Sequence, residues 1–403
     1  MSEQMEHPPF KTGGTSFLRS CFNGINSLSG IGFITIPYTL SQAGWLSLSL
    51  LLAIAFTTCY TGVLLQRCME SNPLIKTYPD IGYHAFGRKG RIIVSTFTYL
   101  DLYLVPIGYL ILEGDNLFNL FPNISMEVAG HYIGGKQIFI MGAGLVILPT
   151  MWLKDLRLLS FVSAGGILSC VIIISSILWV GVVDGVGFSG KGKLFELAGI
   201  PNVVGLYAFC YGAHPVFPTL YSSMNDKSQF SKVLFISFGL STLSYILMAI
   251  LGYLMFGHDV QSQVTLNLPT SLVSSKIAIY TTLVGPITKY ALIATPIANA
   301  IESRLPQHYN NRIICIFLRT LLLVSTVIVA LVFPFFGLLM ALVGSVLNTT
   351  ISILLPCLCY LKISGAYQKW GFEIAIIVVI MVNAVSIGVM GTYSSLKDII
   401  MHL

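Results

Sequence analysis

The 403-residue chain is 55% hydrophobic and only 9% charged, with a mean hydropathy of +0.82. Soluble domains carry about 25% charged residues, so the composition excludes an ordinary soluble enzyme. It predicts an all-α protein that crosses a lipid bilayer many times. The net charge of +6 is not evidence for nucleic-acid binding, because in such a chain the placement of Lys and Arg sets orientation.

Residues 1–14 form a short polar tail without an apolar stretch or a small-residue cleavage site. No cleaved signal is expected, and the first span acts as the membrane signal. Residues 15–403 are expected to form one transmembrane domain. Its apolar runs predict eleven spans: Thr15–Leu40, Trp45–Leu65, Arg91–Leu120, Lys136–Leu153, Leu158–Val183, Leu197–Met224, Lys232–Phe256, Ser275–Ser303, Arg312–Phe333, Gly337–Leu361 and Phe372–Tyr393. A charged connector runs from Arg67 to Lys89, and Lys154-Asp155-Leu156-Arg157 reads as a tight charged turn. The third span is long enough that it must tilt or protrude. The eight cysteines fall within spans or at their ends and read as small buried hydrophobes. Cys357-x-Cys359 points to different helix faces and lacks His partners, so no metal site is expected.

With the N-terminus in the cytosol, sixteen of the 22 lysines and arginines fall on the cytosolic side. Five (Lys136, Lys191, Lys193, Lys276 and Lys397) fall opposite, and Lys289 is left at mid-membrane. That bias predicts a cytosolic N-terminus and a lumenal or extracellular C-terminus. The sequon Asn123-Ile124-Ser125 then lies on the non-cytosolic side, where glycosylation occurs. A second match, Asn348-Thr349-Thr350, lies inside the tenth span and is discounted.

Ser29-Gly30-Ile31-Gly32-Phe33-Ile34-Thr35-Ile36-Pro37-Tyr38 interrupts the first span. Each glycine costs a helix about 1 kcal/mol relative to Ala, and Pro37 removes a donor and clashes with the carbonyl four residues back. Unpaired backbone groups at membrane depth must be buried in protein or face a cavity. The break is therefore either a place of close helix packing or the wall of a binding site. The sixth span carries a second break, Phe209-Cys210-Tyr211-Gly212-Ala213-His214-Pro215-Val216-Phe217-Pro218. It begins five spans later, an odd number, so spans six to ten run inverted relative to spans one to five. The expected repeats are 15–183 and 197–361, with the eleventh span, 372–393, outside them. Paired breaks at matching positions of inverted halves point to the central site of a transporter.

Unpaired N–H groups at the start of a half-helix suit a carboxylate, which makes Gly30, Ile31 and Gly32 candidates for one pole of a ligand. The second break offers carbonyls to an ammonium group, with Phe209, Tyr211 and Gly212 as candidates for the amino group and side chain. Donors on one wall and acceptors on the other fit a zwitterion, and a free amino acid is the simplest. Lys289 lies about 22 Å from Arg304 at 1.5 Å per residue, at a depth where a charge costs at least ~2.5–3.5 kcal/mol. It is a candidate either to gain and lose a proton or to cap carbonyls of the first break as a fixed cation. Asp101, about 15 Å from Arg91, either pairs with Lys289 or lines a watery vestibule, and is a second coupling candidate. His214 is a third, because imidazole changes charge near neutral pH; beside Pro215 it serves equally well to bond a freed carbonyl. Glu113 and Asp115 read as structural or gating groups. No His-Glu-x-x-His, Walker-type loop or Gly-x-Ser-x-Gly is present, so no enzyme is expected.

Several stretches together resemble the amino acid/auxin permease family, and most closely its vacuolar amino acid transporter branch, which is related to the vesicular inhibitory amino acid transporters. They are Gly30–Tyr38 with Ala43-Gly44-Trp45, then Ile111-Leu112-Glu113-Gly114-Asp115-Asn116-Leu117, Tyr211–Met224, Thr288-Lys289-Tyr290-Ala291-Leu292, and Pro334–Met340 through Leu355–Lys362. One departure is the short N-terminal tail, where some relatives carry a long acidic one. The resemblance implies a 5+5 inverted-repeat fold plus one span, like that of sodium-coupled leucine transporters, with helices 1 and 6 broken. In that fold a sodium ion sits between the first and eighth spans, so Lys289 stands where its ammonium replaces that ion. The expected function is proton-coupled, alternating-access transport of an amino acid, across the vacuolar membrane ahead of the plasma membrane. The proton is the coupling ion, with no other cofactor and no obligate protein partner. The alternative class is a nutrient sensor that binds an amino acid with little flux.

Overall fold

The computed structural model describes residues 14–128, 130–153, 165–190, 192–306, 311–368 and 371–402. Most of the polar tail, the Lys154–Arg157 turn and the first residues of the fifth span lie outside the described residues.

The first span is three pieces: α1 (Phe17–Leu28), a 3-10 turn (Ile31–Thr35) and α2 (Ile36–Ala43). Gly30 is extended, at φ −94° and ψ −161°, so the helix cannot run through it. Pro37 sits in the first turn of α2, where its missing N–H costs no internal bond. Helix α3 is Ser47–Glu70, and α4 is Tyr78–Leu120. A two-stranded hairpin, Met126–Val128 and His131–Ile133, pairs Glu127 with Tyr132. It is followed by α5 (Gly135–Met151) and α6 (Gly166–Val182).

The sixth span repeats the pattern of the first, as α7 (Ile200–Cys210), a 3-10 turn (His214–Val216) and α8 (Phe217–Ser223). Pro218 again occupies the first turn of the restarted helix. Then come α9 (Phe230–Phe256), α10 (Val273–Glu302) and α11 (Arg312–Val332). The tenth span starts as α12 (Phe336–Val343), widens into π-helix over Gly344–Asn348 and Thr350–Leu354, and ends as α13 (Leu355–Ser364). Helix α14 is Phe372–His402.

Three local features differ from expectation. The connector before the third span is itself helical. Thr77 and Asp80 form a capping box that starts a short helix at Tyr78, which turns into the long one at Gly87, φ +63°. The tenth span is not a plain α-helix. The last helix runs nine residues past its expected end at Tyr393, to His402.

The packing is reciprocal, as related halves require. Helix α9 lies along both pieces of the first span, α1 and α2, while α3 lies along both pieces of the sixth, α7 and α8. Helix α10 packs on α4 and α6, and α14 covers α7 and the π-helical segment. Among the described residues, seven helical segments are long and apolar enough to cross a membrane. On α11 the exposed side chains Ile313, Phe317, Leu321, Val324, Ile328 and Val332 form one helical face. A face of that length, apolar throughout, belongs against lipid. Polar side chains of α11 instead turn inward, Arg319 onto Glu302 and Thr326 onto Tyr290 of α10.

Candidate functional site

The breaks face each other at contact distance. A Cβ on Gly32 would lie 2.8 Å from Cys210 Sγ and 3.2 Å from its Cα, so only glycine allows this approach. The Tyr245 hydroxyl, from α9, bridges the ends of α1 and α7, 2.6 Å from Leu28 O and 3.0 Å from Cys210 O. Between the breaks lies a cavity of about 150 Å³, walled by Gly30, Ile31, Gly32, Phe209 and Gly212, with Asp101 and Asn348 from α4 and the π-helical segment. A wider vestibule of about 660 Å³ shares Gly30, Tyr109 and Ile293 with it. The vestibule runs between Ser95 and Thr98 of α4, Thr219 of α8 and Pro296 of α10. These residues belong to the end of the molecule where Thr15 N donates to Ser223 O at 2.7 Å, the side of the N-terminus.

The N–H groups of Ile31 and Gly32 precede the first internal bond of their 3-10 turn, Phe33 N to Gly30 O at 3.2 Å. Both residues, the sequence's candidates for a carboxylate pole, line the cavity. Three carbonyls of the second break already carry one backbone bond each. Ala208 O, Phe209 O and Tyr211 O accept from Tyr211 N, Gly212 N and Ala213 N at 3.3, 3.2 and 2.9 Å.

Two of the expected residues turn away. The Tyr211 side chain points into the packing against α9. There its hydroxyl meets Thr242 Oγ1 at 2.8 Å, and its ring stacks on Phe238 at 5.8 Å between centroids. His214 is fully buried on the side of α3, with Nε2 3.1 Å from Thr58 O and 3.0 Å from Thr61 Oγ1. Its ring bonds a carbonyl of α3 and takes no part in the cavity wall. Tyr211 stands at the C-cap of α7 and His214 in the 3-10 turn, where the backbone is not α-helical.

Lys289 is half-buried at the junction of α1, α6 and α10. Its Nζ donates to Ser29 O at 3.1 Å and to Asn26 O at 3.4 Å, the carbonyls freed where α1 stops. A Cβ on Gly166 would lie 3.4 Å from that Nζ, so α6 closes the third side. Asp101 makes no ion pair with it. The aspartate is 7% exposed, lines the central cavity, and leaves Oδ1 without a hydrogen-bond partner among the described residues.

Toward the C-terminal end of α4 lies a polar network. Asp115 pairs with Lys136 of α5 at 2.5 Å and accepts from Gln263 Nε2 at 3.0 Å. Lys136 Nζ also donates to Pro334 O at 2.7 Å, and Asn116 Nδ2 donates to Gln263 Oε1 at 2.5 Å. Glu113, one turn away, is 1% exposed. Asn123 stands in an exposed turn just beyond α4.

Sequence reasoning missed Asn348 and Tyr109. Tyr109 lines the central cavity, the vestibule and a smaller cavity beside Lys289, but an aromatic in an apolar span carries no signal. Asn348 did carry one, because the polar run Asn348-Thr349-Thr350 stands out in an apolar segment.

Residues 13–400 match the family described as transmembrane amino acid transporter protein. Among similar proteins of Arabidopsis thaliana, amino acid transporter AVT1I is 53% identical over 96% of this chain and 96% of its own length. AVT1J is 52% identical over 96% and 92%, and AVT1B 45% identical over 96% and 72%. MhsT in complex with L-phenylalanine shares the fold at a TM-score of 0.58 and 13% identity, covering 96% of this chain and 99% of that one. The inward-facing conformation of Mhp1 does so at 0.60 and 10%, covering 99% and 94%. The fold is therefore the inverted-repeat fold of the sodium-coupled leucine transporters, with broken first and sixth helices. From the cavity at those breaks and a family match over nearly its whole length, the chain belongs to the transmembrane amino acid transporter family, the amino acid/auxin permeases, a family of carriers and not of enzymes.

Proposed function

We propose that this chain moves a free amino acid across the vacuolar membrane by proton-coupled alternating access, with its N-terminus in the cytosol. The observation that carries this reading is the cavity between the two breaks, with the N–H groups of Ile31 and Gly32 in one wall. Those donors suit the substrate carboxylate. The names of the Arabidopsis relatives support an amino acid as cargo. A vestibule toward the N-terminal end and the polar network around Asp115, the proposed seal, suit a carrier caught open to one side.

Lys289 is the proposed coupling residue. Its ammonium holds the end of α1 through Ser29 O and Asn26 O. Loss of a proton would weaken that hold, since charge-assisted hydrogen bonds are roughly twice as strong as neutral ones. The first helix would then move relative to α10. Asp101 is the second coupling candidate. The Lys/Arg distribution supports the proposed orientation, and in it Asn123 is a lumenal glycosylation candidate.

The test is amino acid flux in proteoliposomes under an imposed pH gradient, comparing the native chain with Lys289→Ala. Gradient-driven flux that the variant loses while it still binds substrate supports coupling at Lys289. Flux that stays gradient-driven makes Lys289 a fixed cation. No flux under any gradient overturns the transporter reading and favours a sensor.

A further inference from the structure

We propose that the substrate amino group is held by two side chains, the Asp101 carboxylate and the Asn348 carboxamide oxygen, and that this pair makes a free amino group obligatory. The proposal deepens the reading of the central cavity as an amino acid site and rests on it.

Asp101 is 7% exposed and Asn348 2%. Both line the same cavity of about 150 Å³, one from α4 and one from the π-helical segment. Asp101 Oδ1 and Asn348 Oδ1 are each buried without a hydrogen-bond partner among the described residues. Native structures leave few buried polar atoms unsatisfied, and removing a charged oxygen from water without replacing its partners is costly. Two such oxygens in one cavity call for a ligand that brings donors. An ammonium group brings three, each charge-assisted.

Four competing carbonyls of the second break each already carry a hydrogen bond. Ala208 O, Phe209 O and Tyr211 O accept backbone bonds within the break, and Cys210 O shares the Tyr245 hydroxyl. Lys289, which would repel an ammonium, is not in the walls of this cavity. It lines the adjoining vestibule instead, bonded to Ser29 O and Asn26 O at the end of α1, two residues before the Ile31 donor. The two poles of a zwitterion thus find opposite partners across one cavity.

The fold takes trouble to place Asn348. The π-helical turns around it shift the backbone register, a feature that recurs at functional sites. Thr349 Oγ1 donates to Gly344 O, five residues back, at 3.0 Å. Gly212 leaves room for the carboxamide, since a Cβ there would come within 2.6 Å of Asn348 Cγ.

The test uses the purified full chain in lipid nanodiscs. Each of the twenty proteinogenic L-amino acids is screened for thermal stabilisation. The strongest stabiliser is then compared by calorimetry with its 2-hydroxy acid, which keeps the side chain and carboxylate but lacks the amino group. We expect Asp101→Asn to weaken amino acid binding by about tenfold or more and to leave hydroxy-acid binding within twofold. Asn348→Leu should narrow the same preference by a smaller factor. If Asp101→Asn does not yield folded protein, Asn348→Leu and Asn348→Ser carry the comparison. Equal losses for both ligands would mean a merely structural role and overturn the proposal. Unchanged binding of both, with gradient drive lost, would assign Asp101 to coupling and overturn it as well. If no amino acid stabilises the native chain, the reading of the cavity falls, and the proposal with it.

Discussion

A single methyl group added at Gly212 separates two reasons for a glycine in the second break. Gly212 is not among the described glycines with positive φ, so backbone freedom is not what it supplies. Space is. An alanine Cβ would come within 2.6 Å of Asn348 Cγ, 3.1 Å of its Nδ2, and closer still to Oδ1. Ordinary contact begins near 3.4 Å, so the carboxamide must retreat by roughly 1 Å. It is buried, with the rest of the π-helical segment packed behind it. Overpacking of this kind costs about 1–3 kcal/mol, and a misplacement near 1 Å at a site can cost ~100-fold in rate. Gly239→Ala in α9 is the matched control. A Cβ there meets nothing within 4 Å, and replacing a helix-interior glycine gains up to ~1 kcal/mol. The assay is initial uptake at saturating amino acid, corrected for folded protein, with the melting temperature recorded alongside. We expect flux of Gly212→Ala at least tenfold below that of Gly239→Ala, with a lower melting temperature. Flux within twofold of the control would refute the claim that the carboxamide needs this space.

Arg319 donates from Nε to Glu302 Oε1 at 2.7 Å and through other nitrogens to Asn299 Oδ1 and Met151 O, tying α11 to α10 and α5 while largely buried. Arg319→Met leaves the Glu302 charge without its cation and should cost about 3–5 kcal/mol, while the double variant Arg319→Met/Glu302→Gln recovers most of it; equal melting temperatures for the two would exclude an ion-pair role. Lys136→Gln should loosen the seal at Asp115 and speed labelling of Cys210, which lines the cavity, by an impermeant thiol reagent added from the α5 N-terminal side. An unchanged rate, read by peptide mass spectrometry, would locate the seal elsewhere.

The breaks were legible in the sequence because Gly and Pro act on the backbone where they stand. Gly30 and Gly32 open the first span, and Pro37 and Pro218 fall in the first turns of the helices that restart. Lys289 was legible by depth alone, since a cation that far into an apolar span must find acceptors. The capping box at Thr77 and Asp80 was legible too, but the charge of the connector masked it. What the sequence could not give was the direction of side chains within the breaks. Counting by helical period fails where the chain is not helical, and Tyr211 and His214 lie there. Asn348 was visible as part of a polar run in an apolar segment, but the π-helical turns that set which way it faces leave no mark in the sequence.

The division between what was legible and what was hidden follows the chemistry of the site. In the proposed reading the donor wall is backbone, built from Ile31 and Gly32, and any amino acid presents a carboxylate to it. Backbone donors of that kind bind what all substrates share. Asp101 and Asn348, proposed to hold the amino group, likewise meet what all substrates share, and the wall side chains left over are Tyr109 on α4 and Ile293 on α10. These are free to vary without disturbing the breaks, since the close approach of Gly32 to Cys210 does not depend on them. Specificity by difference of affinity requires groups that can differ. The proposed site therefore predicts that selection among amino acids falls to the helices that frame the broken pair: substitutions at Tyr109 and Ile293 should alter which amino acid is taken before they alter whether one is taken at all.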